Sequence, residues 1–129
     1  MAQVKIFGLR RHLAPLRARV SETVHSCVME ALGMPPGKRA HRFFCLEGED
    51  FLRPEGRSDR YTILEIHLIA GRSKPTRKRL VRLLFERFSA RLGIEPTDLE
   101  IEIVESGPEN WGFRGEHGDE IALDYRIDV

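Results

Sequence analysis

Residues able to take part in chemistry are spread along this chain, and few of them stand at a spacing that announces a centre. Five histidines, His12, His25, His41, His67 and His117, fall in separate stretches with none of the short pairings a tetrahedral metal site uses, so no metal is expected. Cys27 and Cys45 lie in apolar surroundings without a CxxC pair, and both read as core thiols. The sequence holds no glycine-rich phosphate loop, no GxSxG elbow and no HExxH. Lys74, Arg77, Lys78, Arg79, Arg82, Arg87 and Arg91 form a basic run, but no aromatic platform is interleaved with it. A solvated helix face is therefore favoured over a nucleic-acid patch. His41 and Glu65 could project beside Lys38 or Arg72, although solvent-facing places on a sheet edge are the simpler reading. Ser106 to Glu116 packs glycines, Trp111 and Arg114 too densely for a core element.

The elements that would position these residues follow from hydrophobic periodicity. Val4–Phe7 reads as a strand beginning almost at the N-terminus. Leu13, Leu16, Val20, Val24, Cys27, Val28, Ala31 and Leu32 recur at three and four residues, predicting an amphipathic helix over 13–32 that Gly33-Met34-Pro35-Pro36-Gly37 ends. Pro15 is tolerable there only in the first turn. Arg42–Leu46 is a second strand, followed by a polar loop. The pattern then repeats: a strand over Tyr61–Ile69, a helix over Lys74–Leu92, and Leu99–Glu105 alternating apolar and acidic as a half-exposed strand. Each helical crossover makes its two strands parallel. The fold class is α/β: two tandem β-α-β units (1–47 and 61–105) forming a four-stranded mixed sheet with two helices on one face. A C-terminal β extension (106–129) includes a possible strand at Ile121–Tyr125. Its two readings, a clasp on a neighbouring copy and a loop folded back on its own chain, are evenly matched.

With 41% hydrophobic and 32% charged residues in 129, a single domain is expected. No apolar run approaches the roughly 18 residues that span a bilayer, and Met1-Ala2-Gln3-Val4-Lys5 lacks the order of a signal peptide. The expectation is a cytoplasmic protein without membrane contact. The net charge of +1 conceals a split: 19 Lys and Arg against 9 Asp and Glu up to Ile94, and 2 against 11 beyond it. Self-complementary packing between copies suits such a split. Helices on one side of the sheet would leave the other face apolar, with Phe43, Cys45, Ile63, Leu64, Ile101 and Ile103 to be hidden by oligomerisation.

A strand starting at residue 2, tandem β-α-β units, Ala70-Gly71-Arg72-Ser73 before the second helix, and Pro108-Glu109-Asn110-Trp111-Gly112-Phe113 after the last strand together resemble the tautomerase superfamily. The Leu32-Gly33-Met34-Pro35 turn and the chain length are most similar to its malonate semialdehyde decarboxylase-like branch. The resemblance implies a homotrimer needing no cofactor, with sites built around an N-terminal proline. That proline's amine moves protons between enol and keto forms of small oxo-acids, or assists their decarboxylation as an isomerase or lyase would.

Ala2 occupies the place of that proline, so processing of Met1 would leave a primary amine with an ordinary pKa of roughly 7.7–8.0. With Met1 in place, the Ala2 nitrogen is an amide without useful basicity. Where the decarboxylase-like branch carries an aspartate, this chain has Lys38 followed by Arg39, which would favour an anion and lower the pKa of a neighbouring amine. The resemblance thus assigns Ala2 and Lys38 as catalytic candidates, with Arg72 as the carboxylate anchor, its planar fork suiting bidentate binding. Arg39, Trp111 and Phe113 join Arg72 as substrate-binding candidates, and Asn110 would hold the loop. The expected partner is a small organic acid bearing a carboxylate and an oxo or enol group, and nucleic acid is the least favoured class. The alternative is an inactive relative that binds or senses an organic anion.

Overall fold

The structure, a computed structural model, describes residues 2–129. Strand β1 (Ala2–Leu9) leads through a short helix α1 (Arg10–Leu13) and a 3-10 turn at Ala14–Leu16 into α2 (Arg17–Leu32). Pro15 sits inside that turn, where its missing N–H costs nothing. The expected helix over 13–32 is therefore broken in two, with only its second part regular. Gly33 closes α2 with φ of 68°, a left-handed conformation that glycine adopts without a Cβ penalty, and turns the chain toward β2 (Ala40–Leu46).

The second unit repeats the plan with β3 (Thr62–Ile69), α3 (Lys74–Leu92) and β4 (Leu99–Ser106). Ser73 caps α3, its Oγ accepting from the Thr76 N–H. Strand order is β2-β1-β3-β4, with β1 parallel to β2, β3 parallel to β4, and β1 antiparallel to β3. A four-stranded mixed sheet carrying two helices is thus present, as expected. The β part of the extension is a small hairpin of β5 (Gly112–Phe113) and β6 (Glu116–His117). Ile121–Tyr125 is not a strand, because no neighbouring strand offers it a ladder.

Both helices bury an apolar stripe on one face of the sheet: Val20, Val24, Cys27 and Val28 from α2, and Leu80, Leu84, Phe88 and Leu92 from α3, over Val4, Ile6, Leu64, Ile66 and Leu68. Glu30 ties the helices together on the outside, accepting from Arg79 at 3.1 Å and from Arg87 at 2.5 Å. Several α3 cations are spent in this way rather than left for a polyanion. Cys27 and Cys45 are buried free thiols. No helix of the described residues is long and apolar enough to cross a membrane.

The open face of the sheet corrects one expectation. Cys45 and Leu64 are buried on the helix side, and Phe43, Ile101 and Ile103 pack against the same core, leaving only Ile63 of the expected group on the open side. The parity of side-chain alternation decides this: Ile101 and Ile103 share the register of buried Leu64 and Ile66, while Glu100 and Glu102 share that of Ile63 and Glu65. The exposed surface therefore has a stacked pair of Phe7 and Phe44, rings 4.6 Å apart, near its middle. Lys5 and Arg42 flank it on β1 and β2, and Glu65, Glu100 and Glu102 on β3 and β4. Part of the charge split is spent inside one chain, where Arg57 meets Glu100 and Arg77 meets Glu105.

Candidate functional site

Sheet topology gathers the sequence candidates at one end. Ala2 pairs with Leu68 at the far end of β3, and Gln3 pairs with Ala40 at the start of β2. The start of β1, the Lys38–Arg39 approach to β2, and the Gly71–Arg72 exit from β3 therefore share one edge. Ala2 itself is 5% exposed and belongs to the core cluster with Met34. Met1 lies outside the described residues.

The loop from Gly33 to Arg39 is held from below. His25 is buried, and its Nε2 meets the Pro36 carbonyl at 2.9 Å, while Lys38 N–H donates to the Pro35 carbonyl at 3.0 Å. His41 shares a 2.8 Å hydrogen bond with Ser21 Oγ. Burial, reinforced by Arg39 and His25, pushes its pKa down to about 4, so the ring is a neutral strut near pH 7. Arg39 turns away to Glu22, at 3.0 Å, and to Ser21. It is not brought into the site.

Arg72 is the unusual group here, being 3% exposed. Its Nη1 donates to the Ile69 carbonyl at 3.0 Å and its Nη2 lies 3.7 Å from Met34 Sδ, while its Nε is buried with no hydrogen-bond partner among the described residues. Burial lowers its pKa from the ordinary value, with Tyr125 and Glu105 opposing that shift. Glu105 accepts from Arg77 at 2.8 Å through Oε1, while its Oε2 is buried with no partner among the described residues. A buried guanidinium with an unanswered donor is costly.

A cavity of about 50 Å³ is lined by Lys38, Phe113, Arg114, Leu123 and Tyr125; Arg72 does not line it and is linked to it through Tyr125, which it faces electrostatically. Phe113 and Arg114 come from the hairpin, whose two-residue turn places Arg114 at φ 55° and Gly115 at φ 76°. The Arg114 guanidinium stands 5.6 Å from the centroid of the Phe113 ring, a cation–π contact that aims it at the cavity mouth. Lys38 Nζ is 3.8 Å from Asp124 Oδ1. Trp111 does not line the cavity; its indole Nε1 is buried without a partner and its backbone holds Gly118 and Pro108.

Three participants are missing from the sequence reading: Arg114, Asp124 and Tyr125. The one local signal near Arg114 is Gly115 after it, a residue that tight turns favour. Asp124 and Tyr125 carry no such mark, because their place depends on a fold-back. A larger groove of about 430 Å³ between α3 and β4 is lined by Lys74, Arg77, Lys78, Val81, Arg82, Ile103 and Glu105. It lies on the sheet's outer edge and gathers none of the sequence candidates.

Comparison with known proteins gives this arrangement a context. A family model described as a tautomerase enzyme matches residues 38–114, more than half of the chain. Among solved structures, malonate semialdehyde decarboxylase, studied for its decarboxylase and hydratase activities, is similar with a TM-score of 0.79 and 20% identity, over 88% of this chain and 92% of its own. FG41 malonate semialdehyde decarboxylase inhibited by 3-bromopropiolate gives 0.76 and 23%, over 94% and 98%. A fused 4-OT asymmetric trimer gives 0.80 and 15%, over 91% and 96%. At these identities the structural likeness is one of fold.

Proposed function

The chain belongs to the tautomerase superfamily, and from that premise we propose that it binds a small carboxylate-bearing oxo or enol compound at the sheet end where Lys38, Arg72 and Arg114 converge. The observation that carries the reading is Arg72, buried with no acceptor for its Nε among the described residues and facing Tyr125, which lines a cavity together with two further cations, Lys38 and Arg114. A carboxylate there accepts charge-assisted hydrogen bonds, and Phe113 covers the carbon skeleton. Electron density drawn toward these cations acidifies the carbon next to the oxo group, so a base at the start of β1 can take that proton and return it to a different atom.

The base in this reading is the α-amine of Ala2, freed by loss of Met1. Lys38 and Arg72 near it favour the neutral form, which is the form that accepts a proton. Turnover of a 2-oxo-acid or its enol is expected from processed protein, confirmed as such by intact mass, and is expected to vanish on selective acetylation of that amine. Equal rates before and after acetylation would refute amine catalysis.

A second reading is favoured by the same two positions: Ala2 lacks the rigid secondary amine of the family, and Lys38 stands where a carboxylate would orient water. The chain is then an organic-anion binding module, and it shows saturable thermal stabilisation by unreactive carboxylates with no turnover of any oxo-acid.

We also read the protein as a homotrimer. Support comes from the open sheet face, basic along β1–β2 and acidic along β3–β4 around an aromatic centre, which lets one copy's basic half meet the next copy's acidic half. Light scattering should give three times 14.9 kDa, and a monomer mass across micromolar concentrations would end this reading.

A further inference from the structure

We propose that residues 121–129 form a displaceable strap across the anion site, with Asp124 standing on Lys38 in the position a ligand's carboxylate would take. This rests on the anion-binding reading above and adds a means by which the site is closed. Along the segment, Ile121, Leu123, Tyr125, Ile127 and Val129 are half-buried, while Ala122, Asp124, Arg126 and Asp128 are exposed. That is the period of a strand laid on a surface, yet the segment joins no ladder.

Its attachments run along the site itself. The Ser73 N–H donates to the Val129 carbonyl at 2.9 Å. Gly71, at φ 149°, lets the strap pass so close that an added Cβ would lie 3.1 Å from the Ile127 carbonyl oxygen. Tyr125 packs against the main core and faces both Arg72 and Arg114 electrostatically. Asp124 reaches Lys38. Consecutive strap residues thus meet the two site cations on the body of the domain, Asp124 by an ion pair with Lys38 and Tyr125 electrostatically with Arg72. What remains beneath is about 50 Å³, room for one or two waters at roughly 30 Å³ each and too little for an oxo-acid.

The strap is built to lift. None of its inward side chains is fully buried, and of its outward charges Arg126 and Asp128 answer each other, Arg126 Nε to Asp128 Oδ1 at 3.1 Å, leaving Asp124 as the one that reaches the body. The Lys38–Asp124 contact is long, with the carboxylate side chain 61% exposed. A ligand carboxylate competes with Asp124 for Lys38, and its apparent affinity is the intrinsic affinity reduced by the fraction of molecules with the strap open.

The test titrates malonate, an unreactive dicarboxylate, into the full chain, into Asp124→Asn, and into a chain ending at Glu120. Asp124→Asn, which keeps the side-chain shape, is expected to bind about threefold more tightly than the parent, the effect of losing one exposed ion pair. The shortened chain should bind at least as well as Asp124→Asn if it remains folded. In the parent, malonate should speed hydrogen exchange at the Ser73 amide while slowing it in the core. Malonate binding that is equal in parent and Asp124→Asn, with Ser73 exchange unchanged or slowed, overturns the strap and leaves the anion site standing. No binding by any of the three overturns the anion site along with it.

Discussion

Arg72→Met is expected to abolish organic-anion binding while leaving the domain as stable as before, or up to about 2 kcal/mol more stable. The two effects have opposite signs because the guanidinium is poorly served in the free protein. It gives one donor to the Ile69 carbonyl, touches a thioether, and keeps Nε without an acceptor at 3% exposure. Methionine fills a similar volume without a charge to desolvate, and Glu105 retains its bond to Arg77. Against this, a bidentate carboxylate contact is lost, expected to weaken malonate binding about a hundredfold, or about 2.7 kcal/mol. Urea denaturation and calorimetric titration read the two terms separately. If the variant loses about 2 kcal/mol of stability and binds as before, Arg72 is a structural strut and the proposed site is wrong.

The second large effect lies in the scaffold. Phe88 is fully buried on α3, where that helix, α2 and the sheet meet, and truncation to alanine is expected to cost about 3–5 kcal/mol. Domains of this size are commonly stable by about 5–15 kcal/mol, so Phe88→Ala should stand near the edge of unfolding at room temperature. The urea midpoint measures it. A loss under about 1 kcal/mol would mean that the surrounding Leu80, Leu84 and Val24 collapse into the space, and that this core is softer than its burial indicates.

Much of the fold was legible because its local signals agree with its tertiary ones. The bounds of α3 were legible at Lys74–Leu92 from its apolar stripe and from Gly93 and Pro96 beyond it, and the structure adds Ser73 as the cap at its start. The acidic alternation of β4 marked one polar and one apolar face. What the alternation did not reveal is which face the helices cover, and the open side proved to mix charged residues with a smaller apolar cluster around Phe7, Leu9 and Ile63. Strands β1 and β2 run longer than their hydrophobic stretches, since Ala2, Gln3, Ala40 and His41 are held by ladder pairing and not by their own propensity.

The candidate site was partly legible for the same reason. Lys38 and Arg72 sit next to glycine and proline turns that end regular elements, and such turns bring side chains to a sheet's end. Arg39, one residue beyond Lys38, points the opposite way, as neighbours on extended backbone do. Its partnership with Glu22 depends on where α2 crosses, a tertiary fact. Asp124 and Tyr125 reach the site across more than 50 residues of sequence, and nothing local to them encodes that approach.

The strand order β2-β1-β3-β4, with its central pair antiparallel, relates the two halves of the chain by an internal two-fold, so each end of the sheet presents one strand's start beside another's finish. The ends are nevertheless chemically unequal. At the opposite end it is β3 that begins, at Thr62 in mid-chain, where the backbone nitrogen is locked in a peptide bond. In the proposed reaction this duplicated architecture therefore has one amine-dependent centre, and one turnover site, per polypeptide.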